Sequence, residues 1–149
     1  MIVLSIDPSW AQPMAYAVFR DGQLCFYDKF RTTKELCVTN ADVVVTEDPY
    51  LGGNAKKYSS RGHIDTFKKL CFAVGMISLI AQALEAEFVL VRPVDWKSFY
   101  SLTKRTPARI QEEIRAHLTG GVLDEDIQDA IMIGRYYIDH VLVERGIEV

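Results

Sequence analysis

The chain has 149 residues, 49% of them apolar and 25% charged, the make-up of a globular domain with one core and not of a disordered or collagen-like chain. Its longest apolar stretch, 70–84, falls short of the roughly 20 residues that span a bilayer, and the opening Met1-Ile2-Val3-Leu4-Ser5-Ile6-Asp7 meets a charge too soon for a signal or transit peptide. The net charge of −3 is unevenly spread: residues 1–50 carry 4 basic and 7 acidic groups, residues 51–115 carry 11 and 6, and residues 116–149 carry 2 and 7. A basic middle suits a phosphate backbone, and acidic ends suit cations. Cys25, Cys37 and Cys71 sit in apolar sequence contexts at no metal-ligand spacing, which points to reduced thiols in a cytosol-like compartment.

In chain order, Ile2 to Ile6 is a nearly unbroken apolar run, the pattern of a central strand buried on both faces, and Asp7-Pro8-Ser9 ends it. Ala15 to Phe19 and Gln23 to Phe30 read as two strands of a hairpin, with Asp21-Gly22 as its turn. Thr33 to Val38 has room for about two helical turns. Val43-Val44-Val45-Thr46 within 42–47 predicts a fourth strand, and Pro49 to Arg61 reads as loop. Ile64 to Leu84 is helical, and its second half is apolar nearly all round, so two sides need cover: one from the sheet, the other from a partner subunit. Phe88 to Val91 is a fifth strand stopped by Pro93, followed by a loop with Trp96, Lys97, Lys104 and Arg105. Pro107 suits a first helical turn, Ala108 to Leu118 continues it, and Gly120-Gly121 closes it. The last helix spans about 124–143, with Ile127, Ala130, Ile131, Gly134, Ile138, Val141 and Leu142 on one face. This order implies a single α/β domain over 1–149, a mixed five-stranded sheet flanked by helices.

Four carboxylates stand out by position. Asp7 ends the first strand and Glu47 ends the fourth, while Asp126 and Asp129 lie three apart, on one face of the last helix. If the two strands are neighbours, the four acids can converge, and such crowding is repulsive unless divalent cations neutralise it. Two Mg²⁺ or Mn²⁺ ions held in this way serve in-line phosphoryl displacement. The plainer account of acids in a helix's first turn is that they answer its dipole, which would cover Asp124, Glu125 and Asp126. Glu85, Glu87, Glu112 and Glu113 read as helix surface.

Several segments carry a family pattern in order: Ile6-Asp7-Pro8-Ser9, Thr46-Glu47-Asp48-Pro49-Tyr50, Asn54-Ala55, Lys69-Leu70-Cys71-Phe72-Ala73-Val74-Gly75 and Asp126-Ile127-Gln128-Asp129-Ala130. Together they resemble the RuvC-type Holliday junction resolvases of the ribonuclease H-like superfamily. The resemblance implies that Asp7, Glu47, Asp126 and Asp129 bind two Mg²⁺ or Mn²⁺ ions, and that Tyr50 takes the place of an aromatic contacting bases near the cut. Asn54 falls at the family's Asn-Ala pair. Lys97 falls near a lysine that contacts the cleaved backbone, and Lys104, Arg105 or Arg109 would fill a second basic position. Lys56, Lys57 and Arg61 are further candidates for holding phosphates. The expected substrate is branched DNA: a four-way junction, with forks and flaps as further forms. The expected assembly is a homodimer through the 64–84 helix, in the cytoplasm or at the nucleoid (the host's cytoplasm if the source is viral). Three departures fall where substrate is selected: Ser9 in place of a glycine, a short helix before the fourth strand, and a rebuilt segment from Gly52 to His63.

Rival readings are a YqgF-like RNA-processing nuclease, a sugar-kinase or actin-like ATPase domain, and a non-catalytic junction-binding module. The Asp126/Asp129 pair and Tyr50 weigh against the first. The ATPase would need glycine-rich phosphate loops and a second lobe. A binding module would be expected to have lost carboxylates that are all present here.

Overall fold

The computed structural model describes residues 1–11, 13–49, 61–103 and 124–148. Five strands form one mixed sheet in the order β3-β2-β1-β4-β5: β1 (Ile2–Asp7), β2 (Met14–Arg20), β3 (Gln23–Phe30), β4 (Val43–Glu47) and β5 (Glu87–Val91). β1 runs antiparallel to β2 and parallel to β4, and β4 runs parallel to β5. The hairpin turn falls where expected, because Asp21 and Gly22 both take positive φ, 49° and 78°. That is the paired conformation that matches the twist of the flanking strands.

β1 is covered on both faces, as its sequence anticipates. Leu4 and Ile6 pack with Val44, Ala73, Ile77 and Ile80 beneath α1 (Arg61–Ala83). Val3, with Ala15, Ala17, Val43 and Val45, packs on the opposite side against α3 (Glu125–Tyr136). Strand alternation therefore assigns odd-numbered residues of β1 and β4 to the α3 side. α3 continues into π-helical turns at Tyr137–Leu142. Widening the helix there leaves Tyr137, Ile138 and Leu142 buried and Val141 only partly so.

Three expectations are corrected. The segment 33–38 holds a single 3₁₀ turn, Thr33–Glu35, not two α-helical turns. The long helix begins at Arg61, ahead of the expected Ile64. Most consequentially, Trp96 and Lys97 are not in a loop: residues 93–103 form α2 (Pro93–Thr103). Pro93 stops the strand and also opens the helix, where its missing N–H costs nothing. Arg92 clamps Asp95 through paired contacts of 2.8 and 2.9 Å at the same turn. α2 packs on α3 through Phe99, whose ring meets Tyr136 edge-on at 5.5 Å, and through the Tyr100 hydroxyl, which donates to the Met132 carbonyl at 3.0 Å. The three cysteines are free and exposed despite their apolar neighbours in sequence.

Candidate active site

Strand register brings the first two acids together. Ile6 pairs with Thr46 across the parallel β1/β4 junction, and the buried Thr46 hydroxyl donates to the Ile6 carbonyl at 2.7 Å. The next residue on each strand is an acid, Asp7 and Glu47, and both fall on the α3 side by alternation.

Close helix-to-sheet packing brings in the third. The Ser5 hydroxyl, fully buried, donates to the Ala130 carbonyl at 2.6 Å. One turn on, a Cβ at Gly134 would lie 2.4 Å from the Phe19 ring and 2.8 Å from Ser5 Cβ, so only glycine permits this approach. Asp129 precedes Ala130, and Asp7 lies two residues beyond Ser5 on the same strand face. The N-terminus of α3 is set by Asp124, whose side chain accepts from the Ile127 N–H at 2.9 Å, the preferred chemistry for that position.

The acids act on one another electrostatically. Burial, then the charges of Asp129, Glu47 and Asp126, push Asp7 up from 3.8 to about 8, with Lys97 opposing. Burial raises Asp129 to about 6, against the pull of Lys97 and with help from Glu125, Glu47 and Asp126. Glu47 is raised by burial and held down in part by a hydrogen bond from Trp96 and by the charge of Lys97. All four sequence-flagged carboxylates therefore share one electrostatic neighbourhood, with Lys97 in it.

Two neighbours of these acids were not anticipated. The Trp96 indole N–H donates to Glu47 Oε2 at 2.8 Å, with the Lys97 ammonium 5.1 Å from the indole centroid. Lys29, on β3, pairs with Asp124 and lies 3.7 Å from Asp126. Trp96, Phe99 and Tyr100 stand at helical spacing, which would have flagged α2, but no local pattern joins Lys29 to residues nearly a hundred positions on.

Tyr50, Asn54, Lys56, Lys57, Lys104, Arg105 and Arg109, and the Arg61 side chain, lie outside the described residues. Of the basic candidates Lys97 is therefore the one placed at the acids.

The donor set suits Mg²⁺ or Mn²⁺ in kind, being all-oxygen and rich in charge, and the displaced Asp7 proton affinity marks a site where a cation would relieve repulsion. Among the described residues, no three acidic, histidine or cysteine groups are gathered closely enough to hold one ion. Asp126 accounts for part of this, since it is mostly exposed and turned toward Lys29.

No protein-family model matches the chain, and no curated protein matches it by sequence. Solved structures do. RuvC of Thermus thermophilus in complex with a Holliday junction substrate superposes with a TM-score of 0.67 at 14% identity, covering 98% of this chain and 96% of that one. A further Thermus thermophilus RuvC structure gives 0.64 at 15%, covering 98% and 97%. The chain thus has the ribonuclease H-like fold in the form seen in RuvC, over nearly its whole length. Among the described residues, no helix is long and apolar enough to cross a membrane.

Proposed function

We propose that this chain is a single-domain, metal-dependent endonuclease that cuts branched DNA, four-way junctions foremost, as a homodimer. The observation that carries this reading is the meeting of Asp7, Glu47, Asp126 and Asp129 in one electrostatic neighbourhood at the carboxyl ends of two adjacent parallel strands. That it happens on a RuvC-like fold, whose Thermus relative was solved with a Holliday junction, supports the choice of substrate.

In this reading Asp7, Glu47, Asp126 and Asp129 hold two Mg²⁺ or Mn²⁺ ions. Such ions, when bound, activate a water and stabilise the leaving oxygen of a phosphodiester, leaving a 5′-phosphate. The chain's own residues do the rest. Asp7, buried deepest, is most costly to ionise without a cation and so makes the site dependent on one. Lys97, exposed beside the acids, offers a charge to the DNA backbone. On the far side of the sheet, α1 leaves Phe72, Met76 and Leu79 exposed, Phe72 at 66% and Leu79 at 64%. A second copy covering that face would set two sites about a two-fold axis, which suits paired nicks in opposed strands.

The test is cleavage of a labelled four-way junction beside a linear duplex and a single-stranded flap, in Mg²⁺, Mn²⁺ and EDTA. Paired symmetric nicks on the junction, absent in EDTA, are expected. Cutting of RNA substrates instead would favour the YqgF-like reading, and junction binding without cutting in either metal would favour a binding module.

A further inference from the structure

We infer that Trp96 is a positioning residue for Glu47: its indole N–H fixes one carboxylate oxygen and thereby presents the other to the metal. The inference rests on the nuclease reading above and assigns this site a part that neither the motifs nor the fold likeness supplies.

An indole N–H is a donor only, so its bond to Glu47 Oε2 at 2.8 Å has one possible direction. It favours the ionised carboxylate, the form that ligates cations, and opposes the burial that raises Glu47. Oε2 is thereby engaged, while Oε1 keeps its lone pairs for a ligand. The donor itself cannot drift. Trp96 is 2% exposed and among the largest fully buried side chains. It belongs to the apolar cluster to which β4, β5, α2 and α3 contribute Val45, Val91, Tyr100 and Ala130. Lys97 over the ring closes the outer side.

This explains why α2 begins so abruptly after β5. Pro93 and the Arg92–Asp95 clamp turn the chain within a few residues. One helical turn later Trp96 returns over the end of β4, where Glu47 lies. Removing a group that orients a metal ligand typically costs about 10- to 100-fold in metal affinity. The ligand survives that removal, so the loss should show in affinity and not in turnover at saturating metal.

The experiment compares full-length wild type with Trp96→Phe, which keeps an aromatic in the core but lacks the donor. Mg²⁺ affinity is measured by calorimetry, and junction cleavage is followed across Mg²⁺ concentrations. Weaker Mg²⁺ binding by about tenfold or more, with cleavage returning to near wild-type rates at saturation, is expected. Equal Mg²⁺ affinity in the two proteins would overturn the role and leave Trp96 a packing residue. A second readout does not depend on Trp96→Phe folding. In a Trp10→Phe background the Trp96 indole N–H gives the lone indole resonance, which should move on adding Mg²⁺ and move upfield in Glu47→Gln. A resonance indifferent to both would equally overturn the role. If wild type binds neither Mg²⁺ nor Mn²⁺ and cuts nothing, the nuclease reading fails and takes the role with it. If wild type binds and cuts but the Trp96 measurements stay flat, the role alone fails.

Discussion

Ser5 and Ala130, 125 positions apart in sequence, are joined by a buried hydrogen bond of 2.6 Å from the serine hydroxyl to the helix carbonyl. A polar residue in the middle of an otherwise apolar central strand is thus satisfied by the helix that carries two of the candidate acids. Gly134 makes the contact possible, since a side chain there would strike Phe19 and Ser5. Gly134→Ala should therefore destabilise the protein by about 1–3 kcal/mol through overpacking and lower Mg²⁺ affinity by tilting Asp129 away from Asp7. Urea unfolding and calorimetry read the two effects. A variant as stable as wild type would mean that α3 does not seat this closely.

Asp7 should give the protein an inverted pH dependence of stability. For a carboxyl raised from 3.8 to about 8 on folding, the native state binds more protons than the unfolded chain. Its stabilising contribution is full below the unfolded value and is lost as pH rises through the folded one. Asp129, raised to about 6, acts in the same direction. Metal-free protein should lose stability steadily between roughly pH 4 and 8, and Mg²⁺ should restore it at the upper end. Asp7→Asn should flatten this profile and be more stable than wild type at pH 8 in EDTA, by on the order of 1–3 kcal/mol. The same variant should bind junctions yet fail to cut them. If Asp7→Asn were less stable than wild type at pH 8, Asp7 would have to carry a compensated charge.

The strands were legible because their signals are local and strong: an apolar run in β1, a β-branched run in β4, and Asp21-Gly22 in the turn. The acids were legible because Asp7 and Glu47 end strands and Asp126 and Asp129 share a helix face. What stayed hidden depends on tertiary contact. In α2, Ser98, Phe99, Tyr100, Ser101 and Thr103 have weak helix propensity, and the helix exists because Trp96, Phe99 and Tyr100 find partners on α3 and β4. Arg135, a charge that composition would place outside, is buried with one guanidinium nitrogen donating to the Gly22 carbonyl at 2.9 Å and its Cζ 5.2 Å from the centroid of the Phe19 ring. It anchors the hairpin turn to α3, a link no local pattern encodes.

Lys29 stands at the start of α3, where the proposed site would take a cation. It pairs with Asp124 and stands 3.7 Å from Asp126, and Asp124 in turn holds its proton less tightly than a free carboxyl because of that partner and its N-cap bond. A cation taking Asp126 as a ligand must draw it away from the ammonium. Lys29→Met should then tighten Mg²⁺ binding at low salt by about two- to fivefold, the scale of an exposed ion pair, and the gain should fade as salt screens the charges. Calorimetry at two ionic strengths measures both. Weaker binding in the variant would recast Lys29 as a support that holds Asp126 in place.

The outer face of α1 gives the last prediction. A helix buried on one side by Ala73, Val74, Ile77, Ile80 and Ala81 should carry polar residues on the other, yet Phe72, Met76 and Leu79 stand in solvent there, with Phe72 tilted against the exposed Trp10 at 6.2 Å. Phe72, Met76 and Leu79 are spaced at i, i+4 and i+7, one stripe along the helix, and two copies of such a stripe can pack on one another about a two-fold axis. Leu79→Glu would put a charge from each copy into that apolar seam, where neither is easily solvated. Sedimentation should show wild type as a dimer and Leu79→Glu as a monomer with an unchanged circular dichroism spectrum. On a four-way junction the dimer should nick both strands within one binding event, and the variant should release singly nicked junctions. A monomeric wild type that still makes paired nicks would leave α1 to another partner and require the two cuts to be independent.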